Sequence, residues 1–561
     1  MASKTKAPKT KPAKNYKHPE SESPMRPEVG TQAQFKKKLP PKTYRYDSSL
    51  SPSLDWDGKN PAREQGEALI RQTLDAKTLE EAKVAASKLK AMSKPFLNWA
   101  GKAERLSFDV PTLPLFIHER LSTKAILETL KGHRFDRNQE TMFDLWGDPQ
   151  HSVTDQVLRA YEYQDKWVNR MILGDSLVVM NSLLRYEGLG GQVQMIYIDP
   201  PYGVRFGSNF QPFIRKRDVS HGDDGDMTRE PEMVQAYRDT WELGVHSYLG
   251  YLRDRFLLAR ELLSATGSIF VQISDENMHH VRELMDEVFG SENFVSAVTF
   301  AKTTSATSEN LASTNDYLLW YARNIDQLKY RQLYLDKEFG GQGASAYTWV
   351  ELADGTRRQM TNEEKTDPAL LPPQARIFAI DNLTSQRPPG DFPVEFRGRV
   401  YRPKRGYWKT GEEGMERLKQ ARRLEPSGDY LRYVRYLTDF PVFPLTNLWP
   451  DTSIAGFTSE KLYVVQTTPK VIQRCIQMTT DPGELVFDPT CGGGTTAYCA
   501  EQLGRRWITV DTSRVPLALA RQRLLTATFP WFELKDEARG PVGGFIYASS
   551  GESVGNWRAQ C

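Results

Sequence analysis

The stretch YIDPPYG, Tyr197 to Gly203, sets an acid, two prolines and an aromatic ring directly behind the run VQMIYI. The run Val193 to Ile198 is short, apolar and rich in β-formers, which suits a central strand of a parallel sheet, and a double proline cannot continue such a strand. The chain must leave the sheet at Asp199. Ligands of open α/β sheets bind outside the carboxyl ends of the strands, so Asp199, Pro200, Pro201 and Tyr202 are expected where chemistry is done. Taken alone, the same residues also describe a rigid strand exit with a satisfied carboxylate.

A second constellation lies downstream in GELVFDPTCGGGTTAYCAEQLGRRWITVDTS, Gly483 to Ser513. A short strand ends in Asp488 and Pro489, runs into Gly492, Gly493 and Gly494, and opens a helix at Thr495. Glycines let the backbone pass close to a ligand, and a helix N-terminus offers free N–H donors. About 20 residues after the first acid, Asp511 closes the next strand, the place from which a carboxylate grips a ribose diol in nucleotide-binding sheets. The loop has no G-K-[ST], which argues against a P-loop, and its glycine spacing departs from G-x-G-x-x-G. A nucleoside without phosphates fits better, and S-adenosyl-L-methionine is such a ligand.

Together, DPPYG upstream and FDPTCGGGTT downstream, with GSIFVQISDEN and LMDEVFGSENFV between them, resemble the DNA amino-methyltransferases of the permuted, β-type N6-adenine/N4-cytosine class. They are similar to modification subunits of type III restriction-modification systems and to related adenine methyltransferases, over roughly residues 165–325 and 445–530. Where the family usually has Phe and Gly-Ser-Gly in the cofactor loop, this chain has Thr490-Cys491 and Gly492-Gly493-Gly494, and Gly203 replaces the Asn that commonly follows the tyrosine. The resemblance implies S-adenosyl-L-methionine as cofactor and double-stranded DNA as partner, with a restriction or helicase subunit and a second copy of the chain as further partners.

It also gives the residues their roles. Asp488, Pro489, Gly492, Gly494, Thr495 and Asp511 would hold the cofactor. Asp175, in ILGDSL, would meet its adenine, although as a residue it serves equally well to cap a helix. An exocyclic amine is a poor nucleophile because its lone pair is delocalised into the ring. Asp199 and the carbonyl of Pro200 can accept hydrogen bonds from it, the prolines fix those acceptors, and Tyr202 can stack on a base flipped from the duplex. The family usually pairs an acid at the first position of this tetrad with adenine and serine with cytosine, so Asp199 implies N6 of adenine.

These sites need a frame, and the alternation of strand and helix patterns supplies one: an α/β, doubly wound, mostly parallel sheet of the methyltransferase type. With 561 residues the chain has room for about three or four domains. A basic tail, 1–55, carries twelve Lys/Arg against three Glu in its first 45 residues and is expected to be disordered. A helical module, 56–150, precedes the catalytic half, 151–325. The Pro- and Gly-punctuated stretch 326–445 reads as an insertion, the cofactor half follows at 446–530, and a C-terminal extension closes the chain at 531–561. Within the insertion, Arg397, Arg399, Arg402, Lys404, Arg405 and Trp408 mix cations with aromatics, as suits a surface that grips a phosphate backbone and stacks on bases, or an ordinary solvated face.

Other classes fit less well. Cys475, Cys491, Cys499 and Cys561 form no C-x-x-C pair and no metal-ligand spacing, so no metal site is expected. No apolar signal core or run of 18 apolar residues is present, which suits a cytoplasmic chain. N-methylation of RNA or of a protein amide more often shows Asn where Asp199 stands. A DNA-binding subunit without turnover would not need the intact acid, tyrosine and glycine loop. HGDDGD, His221 to Asp226, reads as a solvated loop rather than a nuclease centre.

Overall fold

Val193–Ile198 is buried at all six positions and runs through the middle of the largest sheet among the described residues, which has ten strands. The computed structural model describes residues 30–31, 40–45, 61–92, 107–121, 161, 163, 165, 167–200, 245–302, 311–388, 390–453 and 467–546. In chain order the strands outside the insertion are β1 (Gly30–Thr31), β2 (Lys42–Arg45), β3 (Ser107–Val110), β4 (Phe116–Leu121), β5 (Asn169–Leu173), β6 (Val193–Ile198), β7 (Leu263–Ile273), β8 (Phe294–Ala301), β9 (Asn315–Ala322), β10 (Leu448–Trp449), β11 (Leu485–Asp488) and β12 (Arg506–Asp511). The large sheet has the order β1-β4-β5-β12-β11-β6-β7-β9-β8-β10.

From β5 to β7 all neighbours are parallel. A strand buried on both faces reads as a continuous apolar run, which is why VQMIYI lacks alternation. Ile196 and Ile198 belong to a core shared with Met180 and Leu183 of helix Ser176–Arg185 and Phe256 of helix Val245–Leu262. By the two-residue period, Met195 and Tyr197 point to the opposite layer, the side of helix Pro469–Thr479, which packs with helix Thr495–Gln502. Helices therefore cover both faces. The chain crosses from β6 to β7 in one direction and from β11 to β12 in the other, so the winding reverses between β11 and β6, the place where such sheets bind ligands.

The sheet is mostly parallel, as expected. β9 runs antiparallel between β7 and β8, so the chain re-enters the sheet there at the end it has just left. Two expectations about the N-terminal residues need correction. Ser107–Val110 and Phe116–Leu121 are strands rather than part of a helical module. Ser107–Val110 alternates exposed and buried, Pro111 and Pro114 interrupt any helix, and Phe116–Leu121 pairs antiparallel with β5. Among the described residues of that stretch, Pro61–Leu74 and Leu79–Met92 are helical. In the basic tail, Lys42–Arg45 pairs with Ser107–Val110, and Tyr44 is buried against Phe108 with their rings stacked. Most of the rest of that tail, and the loop 206–231, lie outside the described residues. No helix among those residues is long and apolar enough to cross a membrane.

The described residues divide into two units, one comprising those up to Arg331 and from Asn447, the other Gln332–Thr446. The second unit has its own antiparallel sheet of five strands, in the order Arg357–Gln359, Trp349–Glu351, Arg376–Asn382, Tyr430–Tyr436, Leu424–Ser427. Its two ends are stitched to each other. Leu445 donates its N–H to the carbonyl of Leu333 at 2.8 Å, the Gln332 amide donates to the carbonyl of Leu445 at 3.0 Å, and Tyr334–Asp336 pairs with Val442–Pro444.

Candidate active site

Four acids end or follow four neighbouring strands: Asp175 just after β5, Asp511 at the end of β12, Asp488 at the end of β11 and Asp199 just after β6. Sheet pairing sets Asp511 beside Leu173 and Asp488 beside Thr509, while Phe487 faces Ile196. Parallel pairing thus gathers on one edge residues that the sequence separates by more than 300 positions.

The glycine loop is held from three sides. Asp488 Oδ1 accepts from the N–H of Thr490 at 2.8 Å, and the N–H of Cys491 donates to the carbonyl of Val510 at 2.8 Å. Asp511 Oδ2 accepts from the N–H of Gly492 at 3.0 Å, while its Oδ1 accepts from Ser513 at 2.9 Å. Gly494 stands at the head of helix Thr495–Gln502 with φ of +70°. A Cβ there would lie 2.5 Å from that of Ala520, so only glycine lets helix Arg514–Thr526 pack this close. The buried hydroxyl of Thr495 accepts from Arg523 at 3.0 Å, and Arg523 also donates to the carbonyl of Gly493 at 3.2 Å. Pro489 is buried beside them.

The donor set fits a nucleoside carrying positive charge. Carboxylates stand at strand ends around the loop, a carboxylate such as that of Asp511 can accept from a diol, and the loop itself contains no lysine for a phosphate. Asp175 takes the capping role. Its Oδ1 accepts from the N–H groups of Leu177 at 2.7 Å and Val178 at 3.3 Å, and its Oδ2 pairs with Arg255 at 2.5 Å. Arg255 is a site residue that the sequence reading passed over. A cation inside the buried stripe of YLRDRFLLAREL was the available signal, since such a charge needs a partner.

Asp199 is half-buried, and Pro200 is buried behind it. The Asp199 N–H donates to Thr490 Oγ1 at 2.9 Å, and its Oδ2 accepts from the hydroxyl of Thr467 at 3.3 Å. Thr467 also approaches Gln272 Oε1 at 3.0 Å, which accepts from the Tyr197 hydroxyl at 2.6 Å. Burial pushes that phenol well above its ordinary range, so it stays a donor. Pro201 and Tyr202 lie outside the described residues.

Burial is the largest influence on Asp488 and pushes its carboxyl up to about 6 from 3.8, against hydrogen bonds from Thr490 and Thr496 that favour the anion. A group that holds its proton more tightly when folded contributes full stability below pH 3.8 and loses it as pH rises through 6. Asp488→Asn keeps the acceptor for Thr490 and removes the buried charge. It should stabilise the protein by about 1–2 kcal/mol near pH 7.5, below the roughly 3 kcal/mol that a carboxyl raised from 3.8 to about 6 allows. The gain should vanish toward pH 4, and urea midpoints that differ equally at pH 4.5 and 7.5 would refute this account of Asp488.

In the second unit, Arg397 pairs with Glu425 at 3.3 Å, Arg399 and Lys404 share Asp429 at 2.5 and 2.6 Å, Arg402 lies 3.9 Å from Asp391, and Arg405 is exposed. Arg397 and Gly398, both at positive φ, form the turn between Val394–Phe396 and Arg399–Tyr401. Trp408 is not on this surface, contrary to expectation. It is 2% exposed, packs in the unit's core with Tyr401 and Met415, and donates its indole N–H to the carbonyl of Phe392 at 2.9 Å. A large ring with one polar atom is held by the core as soon as that atom finds a partner.

A DNA methylase family profile of the N6/N4 type matches residues 193–522. The type II methyltransferase M.EcaI of Enterobacter cloacae is 26% identical over 401 residues, which span 68% of this chain and 72% of that one. The type III restriction-modification enzyme EcoP15I Mod subunit of Escherichia coli is 24% identical over 369 residues, 60% of this chain and 56% of the other. The match therefore spans little more than half the length of that relative. Among solved structures, the cytosine-N4-specific PvuII DNA methyltransferase superposes with a TM-score of 0.30 at 13% identity, covering 66% of this chain and 90% of that one. A likeness so loose decides nothing, and the fold class rests on the strand order itself.

Proposed function

The chain belongs to the N6/N4 DNA methylase family, and from that membership we propose that it methylates N6 of adenine in double-stranded DNA at sites of defined sequence, within a restriction-modification system. The observation that carries the reading is the placement of Asp199 at the exit of the central strand, at the reversal of winding and hydrogen-bonded to the loop that follows Asp488. S-adenosyl-L-methionine, when bound, supplies an electrophilic methyl group on a sulfonium.

The protein's own groups do the rest. Asp511 offers acceptors for a ribose diol, the backbone from Gly492 to Gly494 lets a ligand approach closely, and Asp175 and Arg255 brace the neighbouring turn. Asp199 and the carbonyl of Pro200 accept hydrogen bonds from the target amine, which turns its lone pair out of conjugation and toward the methyl group. Pro200 and Pro201 stiffen these acceptors, and Tyr202 stacks on the flipped base. The held amine would then take the methyl group in line as the carbon–sulfur bond breaks, leaving a neutral thioether, and the methylated nitrogen would release its surplus proton to solvent.

Arg397, Arg399, Arg402 and Lys404, exchanging their carboxylate partners for the DNA backbone, and the exposed Arg405 are candidates for phosphate contacts. The Mod relative's name supports a restriction subunit as partner. Adenine is favoured over cytosine by the acid at the first position of the tetrad. Nucleosides from DNA of cells expressing the chain, separated by mass, should contain N6-methyladenine, and sequencing should confine it to one motif. N4-methylcytosine in its place would overturn the choice of base, and no methylated base at all would overturn the enzyme reading.

A further inference from the structure

We infer that Thr490 is a positioning residue that ties the reacting end of the site to the cofactor loop, through a hydroxyl shared between the backbone of Asp199 and the carboxylate of Asp488. The inference rests on the role given to Asp199 above. A threonine hydroxyl has one proton and two lone pairs. Thr490 Oγ1 accepts the Asp199 N–H at 2.9 Å and lies 3.2 Å from Asp488 Oδ1, the acceptor for its own proton. Asp488 Oδ1 also takes the N–H of Thr490 at 2.8 Å, so both the backbone and the side chain of Thr490 are fixed by one buried oxygen.

The consequence is mechanical. Pro200 and Pro201 have no N–H groups, so Asp199 offers the last amide hydrogen before the chain turns, and Thr490 holds it. Any shift of the loop from Asp488 to Gly494 is then transmitted to the acceptor that holds the amine. Phenylalanine, the residue the resembled family usually has at this position, could pack there but could not accept that hydrogen bond. The two strands already pair, so the hydroxyl adds register beyond the strand ends rather than creating the contact.

Thr490→Val keeps the branched shape and removes the hydroxyl, and Thr490→Ser keeps the hydroxyl. In the full chain, amide exchange read from a peptide covering 193–201 should quicken at Asp199 by about fivefold to tenfold in the valine variant, the worth of one hydrogen bond. It should stay near wild type in the serine variant. Adding S-adenosylhomocysteine should slow that exchange in wild type and serine but not in valine. At saturating cofactor and DNA, the valine variant should lose at least about tenfold in kcat, with serine close to wild type, because misplaced reacting groups cost rate rather than affinity. Its affinity for S-adenosylhomocysteine should stay within about threefold, less than one hydrogen bond to a charged group would account for. Unchanged exchange in valine, or weakened cofactor affinity with kcat preserved, would overturn the inference. If wild type methylates nothing, the proposed function fails, and the exchange measurement still decides the link.

Discussion

Alanine in place of Asp199 abolishes methyl transfer, by about 10³-fold or more, while binding S-adenosyl-L-methionine within a few-fold of wild type; that split is the expected result of paired turnover and calorimetric measurements. The carboxylate at the strand exit is assigned to the amine, whereas the groups assigned to the cofactor stand on β11 and β12 and in the segments that follow β5 and β11. Losing the carboxylate leaves the Asp199 N–H and its bond to Thr490 in place, so the turn should keep its path. Thr467 loses one of its two acceptors and keeps Gln272. Near-normal turnover would reduce Asp199 to a strand-exit residue, and an equal loss of cofactor binding would mean that it shapes the loop instead.

Asp511→Ala should act on the other half of the reaction. The carboxylate takes N–H groups from Gly492 and Ser513, and the ribose acceptor is assigned to the same group. Removing it should weaken cofactor binding by about 1.5–3 kcal/mol, roughly 10- to 150-fold, as for a charged hydrogen bond. The cofactor-induced rise in melting temperature should shrink with it. Turnover at saturating cofactor should recover most of its wild-type value, since Asp199 is untouched. A folded variant with unchanged affinity would remove Asp511 from the cofactor site.

The legible parts of this molecule were those in which one local pattern has one physical outcome. VQMIYI followed by two prolines can be little other than a central strand that stops, and an acid, a glycine loop and a helix start in that order leave few alternatives. The strand at 116–121 was harder, because its partner Asn169–Leu173 lies some 50 residues away and edge pairing leaves a weaker pattern than burial on both faces. Trp408 was misjudged for a related reason. Its neighbours Lys404, Arg405 and Lys409 marked a surface, and only the fold of the unit shows the ring turned inward onto Phe392. Thr490 was visible as a departure from the family pattern, but its acceptor role depends on a strand that precedes it by almost 300 residues.

The stitched ends of the second unit bear on how such a chain can change over generations. Gln332 and Leu445 are tied to each other, so the unit begins and ends at one point and closes its own loop. Closing a longer loop costs little more than closing a shorter one, about 0.6 kcal/mol per doubling of length. A segment anchored in this way can be lengthened, shortened or traded for one of another lineage at little thermodynamic penalty to its host. The segment can therefore vary from lineage to lineage while the host that carries it keeps its own fold.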